Sequence, residues 1–235
     1  MKRRCLVIGG SGYVGSAICQ RLRAEDCQLV STYHTRPHPD GLACDLRDFE
    51  SLERVVATAV ERLGGLDAVV GAAGVSGDDY FYQKVSAPDY DRLQPIDRQA
   101  FDHVLETNAR GNFALCRAAA PYLEGGNLVL ISAIDGIKPV PAASHFAASQ
   151  AALKGMVESL AKELGHRQTC INLVALGILE GGLSSKLGDE LRQAYLTHCS
   201  LKRFGTAAEV AELVAWLVVD NTYLTGQTLL LDGGL

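Results

Sequence analysis

The sequence lacks the features that would place it at a membrane or on a nucleic acid. No apolar stretch approaches the ~20 residues that a membrane-spanning helix needs, and a strand pattern begins almost at once instead of a signal peptide. Basic residues form no excess, because 22 Lys and Arg stand against 27 Asp and Glu, for a formal net charge of −5. We therefore expect a cytoplasmic protein without a membrane or nucleic-acid partner.

Paired cysteines are also missing. The seven cysteines include no Cys-x-x-Cys, and their number is odd. Scattered thiols of this kind indicate buried free cysteines rather than a disulfide framework or a zinc site. Each of the six histidines is interpreted as a surface or capping residue, so no metal is expected.

What the sequence does contain is an alternation of short apolar runs and longer amphipathic segments, which predicts parallel strands joined by helices. A length of 235 residues suits one domain, residues 1–235,. We expect a doubly wound α/β domain of the Rossmann type, with about seven strands in a mostly parallel sheet and helices on both faces. The predicted strands are 5–8, 28–33, 66–71, 127–132, 169–175 and 228–231, with a brief one near 42–43. The predicted helices are 13–23, 49–63, 98–122, 144–165, 183–195 and 207–218.

A glycine-rich segment connects the first predicted strand to the first helix. Glycines at this place allow a tight turn, a close approach of backbone to a pyrophosphate and close packing of helix on strand, while the helix N-terminus offers N–H groups to an anion. The pattern favours a dinucleotide site over a ligand-free turn. Its candidate residues are Gly9, Ser11, Gly12, Tyr13, Val14 and Gly15.

Four further segments, in order along the chain, resemble the short-chain dehydrogenase/reductase family. The last two are especially similar to bacterial 3-oxoacyl-carrier-protein reductases. The resemblance implies a doubly wound fold, NAD(P) binding and usually a homotetramer. The four segments are Ala43-Cys44-Asp45-Leu46, Gly71-Ala72-Ala73-Gly74, Arg203-Phe204-Gly205-Thr206, and Tyr223 to Gln227 followed by Asp232-Gly233-Gly234.

The resemblance also implies nucleotide contacts beyond the glycine turn. Asp45 would contact the adenine. The other residues carried over are Leu46, Ala72, Ala73, Gly74, Gly177 and Ile178.

Tyr13 departs from the glycine spacing of the 3-oxoacyl-carrier-protein reductases. The stretch is closer to Gly-x-x-Gly-x-x-Gly, which resembles the extended branch of the same superfamily. A Tyr13 ring that faces the pyrophosphate would block binding, whereas a ring that faces the sheet would be ordinary packing, and both alternatives stay open here.

Cofactor preference is determined just after the second strand, where an acid binds a free ribose and a base meets a 2′-phosphate. His34 and Arg36 follow this strand, and no Asp or Glu does. If a cofactor binds, NADP is favoured, with Arg36 as the candidate charge partner.

The family's catalytic Ser, Tyr and Lys correspond to Ala133, Phe146 and Gln150. Leu130-Ile131-Ser132 matches the strand end, and the helix start from Phe146 to Leu153 matches Tyr-x-x-Ser-Lys-Ala-Ala-Leu. The resemblance implies that this Tyr exchanges the proton, Lys lowers its pKa and Ser binds the developing alkoxide. Ala, Phe and Gln supply none of these functions. Of the family's tetrad only Asn108 is retained.

Neighbouring side chains are poor substitutes for these groups. Lys154 lies one helical turn beyond Gln150, Ser132 should face away from position 133, and His145 is the least poor candidate. The stretch 75–98 is longer than in compact family members, and we expect it to cover the cleft, to contact another chain or to be a packed surface excursion.

Two function classes follow. The favoured one is a non-catalytic or strongly impaired subunit of an NADP-dependent ketoreductase or dehydrogenase that acts on carrier-protein-bound acyl groups. We expect this chain to form a homo- or hetero-oligomer, with an active paralogue as its partner. Inactive partners of this kind occur in antibiotic pathways, and the chain is similar to them in its replaced triad. The alternative is an atypical NADP-dependent reductase active by itself, and a nucleotide-sensing regulator is a weaker possibility.

Overall fold

Seven strands, all parallel, form the sheet of the computed structural model, which describes residues 2–77 and 97–235. Their order is β3-β2-β1-β4-β5-β6-β7. This arrangement confirms the predicted doubly wound α/β fold. The strands are β1 (Arg4–Ile8), β2 (Gln28–Tyr33), β3 (Leu42–Ala43), β4 (Ala68–Gly71), β5 (Asn127–Ala133), β6 (Cys170–Leu176) and β7 (Thr228–Leu231).

Helices cover both faces of this sheet. We number them α1 (Tyr13–Ala24), α2 (Phe49–Leu63), α3 (Arg98–Leu105), α4 (Gly111–Ala119), α5 (Ser144–Leu164), α6 (Asp189–His198) and α7 (Ala207–Val219). Short 3-10 turns lie at Ala120–Tyr122, Ile134–Gly136, Gly165–Arg167 and Gly182–Lys186. None of the helices in the described ranges is both long and apolar enough to cross a membrane.

The strands are continuous apolar runs because helices bury both of their faces. Leu128 and Leu130 of β5 pack with α2, α4 and α5, whereas Val129 between them packs with α1 and α7. The alternation of side chains along the strand thus divides the core into two layers.

The predicted helix over 98–122 is interrupted in its middle. Residues Glu106–Arg110 form a π turn between α3 and α4. Such a turn leaves a backbone carbonyl without its usual helical partner, and Asn112 supplies one, since its Nδ2 donates to the carbonyl of Asn108 at 2.7 Å,. The apolar spacing could not reveal this, because one inserted residue barely disturbs it.

The predicted helix over 183–195 is wrong at its start. A 3-10 turn occupies Gly182–Lys186, Leu187 is extended, and α6 begins only after Gly188. Ser184 uses its hydroxyl to accept from the N–H of Leu179 at 3.1 Å, a local bond of the kind that competes with helix,. The stretch predicted over 75–98 falls mostly on residues 78–96, outside the described ranges.

The turn between β1 and α1 is too closely packed to accept a side chain at Gly15. A Cβ at Gly15 would lie 2.1 Å from the carbonyl oxygen of Gly9, whereas one at Gly12 would lie 3.2 Å from the same oxygen. We expect Gly15→Ala to destabilise the chain by about 3 kcal/mol, because backbone would have to move, and Gly12→Ala by less than about 1 kcal/mol. Urea unfolding of both variants measures this, and equal losses would contradict it.

Candidate functional site

The carboxyl ends of parallel strands meet at one edge of the sheet. The strand order reverses between β1 and β4, and the crevice at such a reversal is where doubly wound sheets bind ligands. The segments that follow β1, β2, β4, β5 and β6 therefore converge there, and they carry nearly all of the residues singled out from the sequence.

The glycine turn after β1 is tight and closely packed. Gly9 has a φ of +81°, and its carbonyl accepts from the N–H of Gly12 at 2.9 Å. A Cβ at Gly9 would lie 2.8 Å from that of Ala73, and one at Gly10 would lie 2.6 Å from that of Ser31. Gly10 was not among the residues predicted for the site, because its only signal in the sequence is its place beside Gly9.

Helix α1 begins without a side-chain cap. Gly12 is the N-cap residue, and the first turn contains no acid. The N–H groups of the first turn of a helix have no partner within the helix, so they are available to an anion. The closely packed glycine turn and the uncapped helix start together fit the phosphates of a nucleotide, which is the group that the fold implies.

Tyr13 does not pack against the sheet, which was one of the two orientations considered from the sequence. Its side chain is 40% exposed, and its ring lies against the segment that follows β6. A Cβ at Gly181 or Gly182 would come within 2.9 or 3.0 Å of this ring. The two glycines therefore leave room for the ring to pack against backbone.

Charged side chains gather where β2 and β3 end. Asp45 accepts from Arg47 through the backbone N–H (2.9 Å), Nε (3.1 Å) and the guanidinium NH2 (2.8 Å), and His34 lies 3.7 Å away. The Arg47 side chain lowers the pKa of the Asp45 carboxyl to about 2. Arg36 is exposed nearby in sequence. Arg47 was missed from the sequence, although it stands only two residues after Asp45.

Leu46 and the Ala72–Ala73–Gly74 stretch form the middle of the crevice wall. Leu46 is buried, and Gly111 packs against its carbonyl. The N–H of Ala72 donates to the carbonyl of Ile8 at 3.0 Å, which ties this stretch to the end of β1.

Asn108 hydrogen-bonds to the backbone just after Gly74. Its Oδ1 accepts from the N–H of Val75 at 2.9 Å, and its Nδ2 donates to the carbonyl of Val75 at 2.8 Å and to Ser149 Oγ at 3.0 Å. This amide is fully engaged within the protein. The π turn explains its position, because Asn108 lies in the middle of it.

Gln150 is turned inward and bound to the end of β5. Its Oε1 accepts from Ser132 Oγ at 3.0 Å and from the N–H of Ala133 at 3.1 Å, and its Nε2 donates to Ser149 Oγ at 3.2 Å. Ser149 Oγ in turn donates to the carbonyl of Phe146 at 2.7 Å. The side chain is 5% exposed. The Asn108, Ser149, Gln150 and Ser132 side chains thus form one buried chain of neutral hydrogen bonds.

Ala133 and Phe146 belong to a small apolar cluster beside this network. Phe146 is 7% exposed and packs with Val104 and Ala143, and Ala133 and Val75 lie against them. Neither side chain carries a group that can exchange a proton. The ring of Phe146 therefore fills the site without adding chemistry to it.

The neighbours considered as substitutes lie as follows. Lys154 pairs with Glu158 at 2.6 Å on the outer side of α5, and the Ser132 hydroxyl is held by Gln150. The prediction that His145 lies near solvent is wrong, because it is 3% exposed. A Cβ at Gly77 would come within 2.4 Å of its Nε2, so the glycine leaves space for this ring.

A cavity of about 290 Å³ opens beside the crevice. It is lined by the backbone after β4, by α3 and by the 3-10 turn after β6. Its lining residues are Gly74, Val75, Ser76, Gly77, Ala100, His103, Leu183 and Lys186. His103 and Lys186 carry no motif that marks them in the sequence, and only the tertiary structure places both along this cavity.

Gly177 and Ile178, carried over as nucleotide contacts, make internal contacts in the described structure. The N–H of Gly177 donates to the carbonyl of Leu231 at 3.0 Å, and a Cβ there would lie 2.3 Å from the Tyr195 hydroxyl. Ile178 packs against a cluster that includes Tyr195. Within residues 2–77 and 97–235, no group of three or more His, Cys, Asp or Glu side chains could hold a metal ion.

The comparisons with known proteins agree with the fold and extend along the chain. Residues 12–235 match the family described as Enoyl-(Acyl carrier protein) reductase. A 3-oxoacyl-[acyl-carrier-protein] reductase of Mycobacterium tuberculosis is 29% identical over 242 residues, which cover 100% of this chain and 93% of that protein. Carbonyl reductase family member 4 of Danio rerio is 32% identical over 249 residues, with 100% and 98% covered. A crystal structure of a short chain dehydrogenase from Burkholderia cenocepacia in complex with NADP is 28% identical, covers 99% of this chain and 97% of its own, and superposes with a TM-score of 0.84.

Gln150→Leu tests the buried network. Leucine keeps much of the volume but leaves the Ala133 N–H and the Ser132 hydroxyl without their acceptor, so we expect a loss of about 2 kcal/mol in the free energy of unfolding. Ser132→Ala combined with Gln150→Leu should cost less than the sum of the single changes by about 1 kcal/mol. Strict additivity in urea unfolding would disprove the contact.

Asp135 makes the stability of this region depend on pH. It lies in the 3-10 turn after Ala133, and burial raises the pKa of its carboxyl to about 6 against a smaller lowering by its own backbone N–H. An acid whose folded pKa is raised stabilises the fold at low pH and loses that contribution as the pH rises through about 4 to 6. We expect Asp135→Asn to stabilise the chain by up to about 3 kcal/mol at pH 8 and by almost nothing at pH 4. Urea unfolding at both pH values decides this, and a gain that is the same at pH 4 and pH 8 would refute it.

Proposed function

The chain belongs to the short-chain dehydrogenase/reductase family, and we propose that it is a non-catalytic or strongly impaired member that works beside an active relative. In this proposal it is a subunit of a hetero-oligomeric, NADP-dependent ketoreductase or dehydrogenase that acts on carrier-bound acyl groups in a biosynthetic pathway. Its own contribution is to stabilise the assembly and to dock its components.

The observation that carries the proposal is the chemistry available at the end of β5 and the start of α5. The family resemblance implies three groups here: a Ser that binds the alkoxide, a Tyr that exchanges the proton and a Lys that lowers the pKa of that Tyr. Their positions are occupied by Ala133, Phe146 and Gln150. General acid–base catalysis contributes about 10²–10⁴-fold and an oxyanion donor about 10²–10³-fold. A chain without these groups should therefore be slower by several orders of magnitude.

Nucleotide binding is supported by the other half of the crevice. The glycine turn and the start of α1 would hold the phosphates, and His34 and Arg36 would meet a 2′-phosphate. NADPH, when bound, supplies a hydride. The relative from Burkholderia cenocepacia was solved with NADP, which supports the choice of cofactor.

Assembly is supported by aromatic side chains on the outer side of α3 and α4. Phe101 is 46% exposed and Phe113 is 41% exposed. Arginines stack on this surface, with Arg117 5.9 Å from the ring of Phe113 and Arg110 5.0 Å from that of Phe49. Exposed aromatic and Arg side chains are enriched at protein interfaces. Met156 and Leu160 of α5, in contrast, pack into this chain's own core.

The substrate class is supported by names and by the cavity. The matched family and the mycobacterial relative both have acyl carrier protein in their names. The cavity beside the crevice is bounded by His103 and Lys186, whose side chains would suit an anionic group,.

The second candidate is an atypical reductase that is active by itself. The buried position of His145 beside Gly77 is the observation that favours it, because a histidine can serve as a general acid,. Its activity would depend on that side chain.

The test is turnover of a β-ketoacyl thioester with NADPH. We expect no measurable oxidation of NADPH by the unmodified chain, and a gain of at least 10²-fold over background for Ala133→Ser/Phe146→Tyr/Gln150→Lys. The matched control is Ala133→Ser/Gln150→Lys, which lacks only the phenol and should stay inactive. Circular dichroism checks that each variant is folded. Clear turnover by the unmodified chain that disappears in His145→Ala would replace the proposal with the second candidate.

A further inference from the structure

The two halves of the crevice offer a ligand very different surfaces. On the β2 and β3 side, the side chains of His34 and Arg47 are 60% and 42% exposed, and Arg36 is exposed as well. His34 and Arg47 lie beside Asp45, and Arg47 forms a salt bridge with it. A phosphorylated ribose would find charge-assisted partners here.

On the β5 and β6 side, the polar groups are already used. The Oε1 of Gln150 accepts from Ser132 and Ala133, and its Nε2 donates to Ser149. The amide of Asn108 is hydrogen-bonded to Val75 and Ser149. A ligand that took one of these groups would leave a buried partner unsatisfied, at a cost of about 1–3 kcal/mol. Ala133 and Phe146, which lie beside these groups, are apolar.

The segment after β6 also reaches back across this side. Three strand spacings of about 4.8 Å separate β1 from β6, about 14 Å in all. Yet Gly181 and Gly182 contact the ring of Tyr13, at the start of α1, which follows β1. The Tyr13 ring and the Gly181–Gly182 backbone therefore bridge the space between the start of α1 and the segment after β6.

We propose that this chain recognises the adenosine 2′,5′-bisphosphate half of NADP and draws almost no affinity from the nicotinamide nucleotide. Doubly wound sheets bind a dinucleotide with one nucleotide on each side of the strand reversal. Here one side offers the exposed His34 and Arg36, whereas Gln150 and Asn108 on the other side are already bonded within the protein. This inference rests on the nucleotide site of the proposed function. It states that the site binds only one of the two nucleotides of NADP.

Calorimetric titration of the full chain with NADP, adenosine 2′,5′-bisphosphate and nicotinamide mononucleotide tests this. We expect the first two to bind with dissociation constants within about threefold of each other and the third not to bind. NADP that binds more than tenfold tighter than the bisphosphate would overturn the inference. Absence of binding by both would overturn the inference together with the nucleotide site, whereas turnover by the unmodified chain would remove only the non-catalytic proposal.

Two variants assign the affinity to its side of the crevice. His34→Ala combined with Arg36→Ala should weaken NADP and the bisphosphate equally, by at least tenfold. Gln150→Ala should change neither by more than threefold, and thermal unfolding confirms that it stays folded at the titration temperature. A selective loss of NADP affinity in Gln150→Ala would show that the second half of the crevice binds ligand and would disprove the inference. Lys154→Ala, on the outer side of α5, is the control that should leave both affinities unchanged.

Discussion

The buried amide of Gln150 is the contact on which the character of the crevice depends. It joins α5 to the last residues of β5 through an acceptor for Ser132 and Ala133 and a donor to Ser149, and Ser149 connects it to Asn108. Because every member is neutral and partnered, the network stabilises this corner of the fold without a titratable group. A lysine in this position could not accept from the Ala133 N–H. The geometry that stabilises this chain is therefore at odds with the lysine that the family resemblance implies at this position.

The nucleotide side of the crevice is built from other groups than that corner. The glycine turn is determined by packing of backbone on backbone, and the charged cluster around Asp45 lies at the ends of β2 and β3. The two sides meet where Tyr13 packs against the segment after β6, where Gly111 packs against the Leu46 carbonyl, and where Arg110 donates to the carbonyl of Arg47 at 3.3 Å. Ala133, Phe146 and Gln150 can thus coexist with a closely packed phosphate turn, which is the arrangement that the proposed non-catalytic subunit would have.

Most of the fold could be predicted from the sequence, because strands buried on both faces leave continuous apolar runs and crossover helices leave amphipathic ones. The exceptions have local causes. The π turn at Glu106–Arg110 leaves the apolar spacing nearly intact, and the start of α6 depends on Gly188 and on the hydroxyl of Ser184. His145 was misjudged, since its burial depends on a glycine at position 77 that lies far from it in the chain.

The sequence by itself determined the fold class, the family and the identity of the residues at the end of β5, since these depend on patterns and motifs that are continuous along the chain. It could not determine which contacts those residues make. Only the tertiary structure decided that Gln150 binds inward, that Arg47 holds Asp45 and that the segment after β6 reaches Tyr13. The physical reason is that each of these contacts joins groups whose orientation depends on side-chain torsions and on how elements pack, and the residue order along the chain carries no direct record of either.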